Sequence, residues 1–168
     1  MRKAAPAFTI RAACKSDAAP IAGLLAPYAR SGVVLPRSED EIRQHIHNFL
    51  VAEDHDGTPS ICGCVALRDY SAGLFEVRSL AVAATKAGFG LGSQLIKASI
   101  TEAKDRGATR VFALTLRAHL FQRVGFQVVA KEMFPQKVWT DCKHCKKLQC
   151  CDETAVLLDL TSTPSVTQ

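Results

Sequence analysis

The sequence lacks long apolar runs, and none reaches the ~18 consecutive apolar residues that a membrane span requires. Its N-terminal segment, 1–8, carries two cations but no apolar stretch typical of a secretory signal peptide. Cysteine is present, but seven residues, an odd number without an export signal, favour reduced thiols over a disulfide framework. We therefore expect a cytoplasmic protein without membrane contact.

Aromatic residues are also scarce, at 7% of the chain with a single tryptophan. A basic stretch near the C-terminal end would suit nucleic acid, but only Phe134 and Trp139 are interleaved with its lysines and no binding motif is present. These lysines are Lys131, Lys137, Lys143, Lys146 and Lys147. The net charge of +5 suits an anionic cofactor, an acidic substrate or nucleic acid equally. We do not expect nucleic acid as a partner.

What is present is an ordinary globular composition: 168 residues, of which 48% are hydrophobic and 22% charged. We assign 1–7 to an N-terminal extension, 8–160 to one domain and 161–168 to a disordered tail. Hydrophobic patterning predicts strands at 8–13, 49–53, 60–68, 74–83, 110–116, from 126, and at 154–160. It predicts a helix that Ser16 or Asp17 caps and that ends at Gly32. Further helices are predicted from Ser38 to about Asn48, from the glycine-rich segment to about Arg106, and over 118–124. This order predicts an α/β fold with a mixed sheet and helices on its faces.

A glycine-rich segment, KAGFGLGSQL from Lys86 to Leu95, separates a predicted strand from a helix. Backbone N–H groups in such a loop, together with the partial positive charge of a helix N-terminus, bind phosphate. No lysine follows Gly92 as a Walker loop requires, and Ser93 stands where a dinucleotide fingerprint needs glycine or alanine. The loop therefore predicts a different phosphate-bearing ligand.

The strand before this loop, FEVRSLAV, carries two opposite charges. Strict alternation places Glu76, Arg78, Leu80 and Val82 on one face of the strand, and Phe75, Val77, Ser79 and Ala81 on the other. Glu76 and Arg78 form either a structural ion pair at a sheet edge or a general base beside a substrate-binding cation.

The order of strand, glycine loop, helix and then LFQRVGF resembles the GNAT family of acetyl-CoA-dependent N-acetyltransferases. The resemblance implies an α+β fold with a mixed, mostly antiparallel central sheet flanked by helices, and acetyl-CoA as cosubstrate. The family's Arg/Gln-x-x-Gly-x-Gly/Ala loop, which binds the coenzyme A pyrophosphate, falls on 87–92, with Ala87 in its first position and Lys86 beside it. The cosubstrate contacts implied are Leu80, Ala81, Val82, Ala87, Gly88, Phe89, Gly90, Leu91, Gly92, Ser93 and Phe121.

Within the family, VVLPRSEDEI, FEVRSLAV, RVFALT, LFQRVGF and QKVWTDCKHC…CDETAVLLDL are similar to the acetyltransferase domain of N-acetylglutamate synthases in their short bacterial form. Many GNAT proteins have a tyrosine four residues before the Gly-Phe pair, whereas Phe121 stands there in this chain, as in the synthases. The similarity implies acetyl transfer to the α-amine of L-glutamate, the first step of arginine biosynthesis. It is compatible with a homodimer.

The resemblance also implies catalytic roles for single residues. Glu76, directly or through a water, takes the proton of the substrate amine. A backbone N–H near Leu80, freed by a bulge in the strand, stabilises charge on the thioester oxygen. The hydroxyl of Thr115 assists the departing thiolate, although a strand threonine without a role fits this position equally well.

Glutamate has two carboxylates, so its pocket needs cations. Arg37 in LPRS is the first choice, because it matches a position that the synthases use for substrate and because arginine binds carboxylate with two parallel hydrogen bonds. Arg78 and Lys137 are second choices. Arg117 and Lys131 are interpreted as solvated surface charges.

The segment DCKHCKKLQCCD, 141–152, contains four of the seven cysteines. Cys142 and Cys145 have the two-residue gap seen in zinc sites, with Cys150 or Cys151 as a third ligand, but no second C-x-x-C pair follows. We favour reduced thiols over a bound metal or a disulfide. No metal is predicted, and Cys142, Cys145 and Cys151 are the candidate ligands if one binds.

Two alternatives stay open: a GNAT acetyltransferase for another amino acid, small amine or protein, and a non-catalytic domain that binds acetyl-CoA to sense it. A nucleic-acid-binding module, the third alternative, is disfavoured by the scarcity of aromatic residues among the lysines. Arg37 argues against a polyamine, whose pocket would be lined by carboxylates. Glu76 and the glycine loop argue against a sensor, whereas Ala87 keeps that alternative open.

Overall fold

A computed structural model of the chain describes residues 8–134 and 153–161. Within these ranges the strands are β1 (Phe8–Ala12), β2 (Phe49–Asp54), β3 (Ser60–Asp69), β4 (Leu74–Val82), β5 (Arg110–Thr115), β6 (Gln127–Val129) and β7 (Thr154–Asp159). The α-helices are α1 (Ala18–Arg30), α2 (Glu39–Gln44), α3 (Leu91–Asp105) and α4 (Ala118–Gln122). Lys137, the candidate cysteine ligands and the predicted extension lie outside the described residues, as does the predicted tail apart from Thr161.

The strands form one seven-stranded sheet in the order β1-β2-β3-β4-β5-β7-β6. Among the strands within 8–134 and 153–161, only β4 and β5 pair in parallel, and every other neighbouring pair is antiparallel. The expectation of a mixed, mostly antiparallel sheet is confirmed. The parallel pairing begins at Leu74 and Arg110 and ends at Glu76 and Phe112, while β4 continues to Val82. The sheet therefore divides between β4 and β5 just beyond Glu76.

Apolar side chains cover the sheet on both faces. On one face α3 and α4 pack against the largest core cluster, and the buried stripe of α3 has the spacing of an amphipathic helix: Leu91, Leu95, Ile96, Ser99, Ile100 and Ala103. On the other face α1 and α2 pack through Ile21, Leu25 and Ile42. A third cluster, which includes Tyr70 and Phe112, lies beside the division in the sheet. Burial of these groups orients the central strand, β4.

The helix predicted from Ser38 to Asn48 is shorter than expected. Its start is confirmed, because Ser38 Oγ accepts the Glu41 N–H at 3.1 Å. Ile42 is the only buried residue of α2, so the apolar stripe ends after one turn. A one-turn 3₁₀ helix, Ile46–Asn48, then leads into β2.

The first helix begins at Ala18, but neither Ser16 nor Asp17 caps it with a side-chain hydrogen bond. The Asp17 carboxylate instead accepts the backbone N–H of Cys14 at 2.8 Å and pairs with Arg11. The expected cap is wrong because this carboxylate binds the turn before the helix and the neighbouring strand β1.

Candidate active site

Glu76 and Arg78 are brought together on β4, as the sequence predicted. Glu76 is 1% exposed, and its Oε1 lies 3.5 Å from Nη1 of Arg78. The same oxygen accepts the hydroxyl of Tyr70 at 3.3 Å. A carboxylate held by a cation and a hydroxyl donor in the middle of a domain is a candidate general base.

A cavity of about 510 Å³ lies beside this pair, and Arg78 forms part of its wall. The wall contains three arginines and two histidines against one carboxylate: His45, His47, Asn48, Phe49, Ala66, Leu67, Arg68, Asp69, Arg78 and Arg106. This charge balance favours an anionic ligand. The Arg106 side chain is held in place, since it donates to Asn48 Oδ1 at 2.8 Å and to the His47 carbonyl at 2.7 Å.

Sequence reasoning missed two residues next to Glu76. Arg68 is directly opposite Glu76 in the β3–β4 pairing, and its guanidinium carbon lies 4.8 Å from the centre of the Tyr70 ring. Tyr70 in turn lies against Phe112, with ring centres 5.7 Å apart. The turn through 71–73, where all three residues have positive φ, sets this register. Pairing the two predicted strands as a hairpin would have placed Arg68 beside Glu76.

The expected alternation along β4 is wrong beyond Ser79. This residue has a φ of 53°, and the pairing with β3 shifts register between Ala66–Arg78 and Cys64–Ala81. Leu80 therefore joins Val77 and the α3-side core instead of sharing a face with Glu76, and Ala81 packs on the α1 side. The irregularity expected near Leu80 is confirmed, since one extra residue in β4 is what a β-bulge inserts.

Two side chains reach the edge of β4 that faces the division in the sheet. Ala83 donates its N–H to Cys62 in β3 at 2.8 Å, so the alternating amides of Leu80 and Val82 point the other way. Arg117 Nη2 donates to the Leu80 carbonyl at 3.1 Å, and the Tyr28 hydroxyl donates to the Val82 carbonyl at 2.5 Å.

Arg117 is therefore not a solvated surface charge, and that interpretation is wrong. Its guanidinium carbon lies 5.7 Å from the centre of the Tyr28 ring. Its backbone N–H donates to Thr115 Oγ1 at 2.9 Å, which leaves the hydroxyl proton of Thr115 able to donate elsewhere. Arg117 thus connects the end of β5 with β4 across the division.

The glycine loop leads from β4 into α3, as predicted. Gly88 and Gly90 have φ of 85° and 78°, in the left-handed region that favours glycine, and Gly90 is the N-cap of α3. A Cβ at Gly92 would lie 3.2 Å from Leu120 Cδ2, so glycine permits close packing of α4 on the start of α3. Loop residues 87–90 are exposed, which leaves the first backbone N–H groups of a 15-residue helix accessible to an anion.

Lys86, at the start of this loop, lies 2.8 Å from Asp54 Oδ2 at the end of β2. Their hydrogen bond lowers the pKa of Asp54 and raises the pKa of Lys86. Lys86 is therefore engaged with a carboxylate of the protein.

The other predicted site residues lie elsewhere. Arg37 precedes α2, with Nη1 4.0 Å from Glu41 Oε2 and a side chain that is 23% exposed; the cavity wall described above does not include it. Phe121 is 3% exposed and packs edge-on against Phe126, with ring centres 5.2 Å apart.

Among residues 8–134 and 153–161, no group of three or more His, Cys, Asp or Glu side chains could hold a metal ion. The same part of the chain contains no helix long and apolar enough to cross a bilayer.

Known proteins are similar to this chain in sequence and in fold. Residues 45–128 match the acetyltransferase (GNAT) domain. An uncharacterized N-acetyltransferase of Chlorobaculum tepidum is 38% identical over 151 residues, covering 90% of this chain and 96% of that protein. The chain belongs to the GNAT family of acetyltransferases.

Two further relatives have narrower names. An amino-acid acetyltransferase of Neisseria meningitidis is 34% identical over 130 residues, or 76% of this chain. The solved N-acetylglutamate synthase of Neisseria gonorrhoeae, complexed with coenzyme A and N-acetyl-glutamate, superimposes with a TM-score of 0.80 at 28% identity over 96% of this chain. The GNAT chain spans 29% of the first protein and 36% of the second. As a GNAT acetyltransferase, it uses acetyl-CoA as cosubstrate.

Proposed function

We propose that this GNAT protein transfers the acetyl group of acetyl-CoA to the α-amine of L-glutamate and forms N-acetyl-L-glutamate. The observation that carries the proposal is the buried Glu76 beside Arg78, which itself forms part of the wall of a cavity rich in cations. A base and an anion-binding wall are what an acidic amino acid needs from its acetyltransferase. The name of the Neisseria gonorrhoeae protein supports the same substrate, and that of the Neisseria meningitidis protein supports an amino acid.

Glu76 acts as the base in this proposal. An α-amine has a pKa of about 8, so most of the substrate arrives protonated at neutral pH and cannot attack. Glu76 removes that proton directly or through a water, while Arg78 and Tyr70 hold its Oε1 in place. Acetyl-CoA supplies the acetyl group as a thioester, whose carbonyl carbon the amine attacks.

The bulge in β4 provides electrostatic stabilisation of the charge that develops on the thioester oxygen. The amide of Leu80 faces the division in the sheet, where its N–H would donate to the thioester oxygen as negative charge develops. The sulfur leaves as a thiolate, which is acceptable because thiol pKa values lie near 8.5. The Thr115 hydroxyl at the end of β5 would assist that departure.

We assign the cosubstrate to the division in the sheet and the glycine loop. Its pyrophosphate would accept from the backbone N–H groups at the start of α3, and its extended arm would lie along the edge of β4. The residues assigned to these contacts are Leu80, Ala81, Val82, Ala87, Gly88, Phe89, Gly90, Leu91, Gly92 and Ser93. Phe121 contributes an apolar side chain behind the loop and no proton.

The carboxylates of glutamate need two cationic groups. We assign one carboxylate to Arg78, assisted by Arg68 in the same cavity wall. Arg37 and Lys137 are the candidates for the other. Arg37 is 23% exposed, and its Nη1 lies 4.0 Å from Oε2 of Glu41 in α2, so its side chain would turn toward the substrate on binding.

Product formation from acetyl-CoA and single amines, measured by mass spectrometry, tests the proposal. The panel contains glutamate, glutamine, aspartate, lysine, spermidine and a short peptide. Acetyl-glutamate made by the wild type and lost in Arg37→Ala and Glu76→Gln supports the reaction and both roles. Turnover of another amine with glutamate ignored overturns the substrate, and coenzyme A binding without any turnover favours a sensor.

This reaction would stand at the start of arginine biosynthesis in the cytoplasm. The location and a homodimeric state both stay predictions. Cell fractionation and the mass of the protein in solution are their direct measurements.

A further inference from the structure

The glycine loop is anchored at both of its ends and open in its middle. At its start, Lys86 Nζ lies 2.8 Å from Asp54 Oδ2, and at its end the Gly92 position lies against Leu120 of α4. Between them, a Cβ built on Gly88 or Gly90 would meet no atom within 4 Å. The conformation of the open part therefore depends on the two anchors.

Asp54 is itself fixed, so it is a firm anchor. It ends β2, its side chain is 11% exposed, and its Oδ1 accepts the N–H of Asp56 in the following turn at 3.0 Å. Lys86, with a side chain 20% exposed, belongs to the one-turn 3₁₀ helix Ala84–Lys86 that follows β4. The pair thus ties the start of the loop to the β2–β3 hairpin.

A lysine next to a phosphate-binding loop is usually interpreted as a phosphate ligand, but the geometry favours another role. An ammonium group held at hydrogen-bond distance by a shielded carboxylate must break that contact before it can bind phosphate. Breaking it would also leave the Asp54 carboxylate close to the ligand's negative charge.

We propose that Lys86 and Asp54 are a positioning pair for coenzyme A: Lys86 fixes the start of the pyrophosphate loop and neutralises Asp54, and does not itself bind phosphate. This inference rests on the assignment of the loop to the cosubstrate in the proposed function. It does not depend on which amine is acetylated.

The two roles predict opposite signs for one substitution. If the pair positions the loop, Asp54→Asn weakens coenzyme A binding, because the anchor is lost. If Lys86 is a phosphate ligand, Asp54→Asn tightens binding, because the ammonium group is released and a repelling charge is removed.

The test is titration calorimetry of coenzyme A without an acceptor, on Lys86→Met, Asp54→Asn and the double variant. We expect about tenfold weaker binding for Lys86→Met and about threefold weaker binding for Asp54→Asn. In the Lys86→Met background, Asp54→Asn should instead tighten binding about threefold, because the unpaired carboxylate is then removed. Lys97→Met, which removes one exposed charge from α3, is the matched control and should change binding less than twofold.

Steady-state kinetics separate positioning from damage to the fold. Lys86→Met should raise KM for acetyl-CoA with kcat unchanged, and should not affect turnover of acetyl-pantetheine, which has no pyrophosphate. Tighter binding by Asp54→Asn, or Lys86→Met indistinguishable from wild type, overturns the positioning role. If coenzyme A binds as expected but glutamate is not acetylated, glutamate is not the substrate, and the positioning role of Lys86 and Asp54 is still supported.

Discussion

Asp17 and Glu76 are two shielded carboxylates with arginine partners, yet their surroundings differ. Asp17 accepts both Nη groups of Arg11, at 2.8 and 3.1 Å, and the Cys14 N–H at 2.8 Å. These bonds, those from Arg11 above all, lower its pKa to about 2. For Glu76, the contacts with Tyr70 and Arg78 are longer, at 3.3 and 3.5 Å.

The positions of the two groups differ as well. Asp17 joins β1 to the turn before α1, and Arg11 also binds Glu53 at 2.8 Å, so this cluster connects chain segments. Glu76 lies where β4 and β5 stop pairing, next to an arginine that lines a cavity. A carboxylate bound tightly as an anion stabilises the fold, whereas one beside a cavity can exchange a proton with a substrate.

The largest expected effect is on catalysis by Glu76→Gln. The amide keeps the shape and can still accept from Tyr70, but it cannot take a proton, so kcat should fall about 10²- to 10⁴-fold. Acetyl-glutamate formation by mass spectrometry measures it. Asp17→Asn is the matched control, and a comparable loss of kcat in that variant would erase the distinction between the two carboxylates.

The next effect concerns the partner of Glu76. Arg78→Met should raise KM for glutamate about 10- to 100-fold, because a charge-assisted bond to a carboxylate contributes about 1.5–3 kcal/mol. KM for acetyl-CoA should change little. Arg30→Met, an exposed arginine in the last turn of α1, is the control for the loss of one positive charge. An unchanged KM for glutamate would remove Arg78 from the substrate site.

Asp17→Asn should lower the free energy of unfolding. The lowered pKa of Asp17 corresponds to about 2 kcal/mol of this free energy at neutral pH, and urea denaturation of wild type and variant measures the difference. Since the folded pKa of about 2 lies below the ordinary value of 3.8, the contribution is complete above pH ~4 and is lost as the pH falls toward 2. The variant should therefore have a flatter dependence of stability on pH over that range. If the free energy of unfolding of the variant depended on pH as steeply as that of the wild type, the stabilising role of the Asp17 carboxylate would be contradicted.

The smallest effect extends the comparison from side chains to backbone. Gly90→Ala and Gly107→Ala both place a Cβ at positive φ, 78° and 92°, with open space around it. Each should lose about 1 kcal/mol of stability from backbone strain. Only Gly90→Ala should raise KM for acetyl-CoA, by about three- to tenfold, since Gly107 follows the far end of α3. Equal KM values for acetyl-CoA in the two variants would show that the glycine loop does not bind the cosubstrate.

Much of the fold could be predicted from local sequence patterns. The seven strands, the start of α2 at Ser38 and the helix after the glycine loop follow from periodicity, capping residues and glycine positions. The pairing of Glu76 with Arg78 followed from alternation over two residues. Each of these features is specified by neighbours in the chain.

The remainder depends on contacts between distant segments. The bulge at Ser79 breaks the alternation and moves Leu80 to the other face, yet serine carries no pattern that predicts a positive φ. Arg68 reaches Glu76 only through the register of the β3–β4 hairpin, and Arg117 reaches Leu80 across 37 positions in sequence. Asp54 and Lys86 meet because the end of β2 lies beside the one-turn 3₁₀ helix that follows β4. No single-sequence periodicity encodes such proximity.

The most direct test of Glu76 as the base is the pH dependence of the rate ratio between wild type and Glu76→Gln, with glutamate as acceptor. The amine loses its proton without help once the pH exceeds its pKa of about 8. If Glu76 is the base, the variant should be at least about 100-fold slower near pH 7, and the difference should narrow steadily as the pH rises through 8 and 9. A ratio that stays constant with pH, or a variant as fast as wild type, would contradict it.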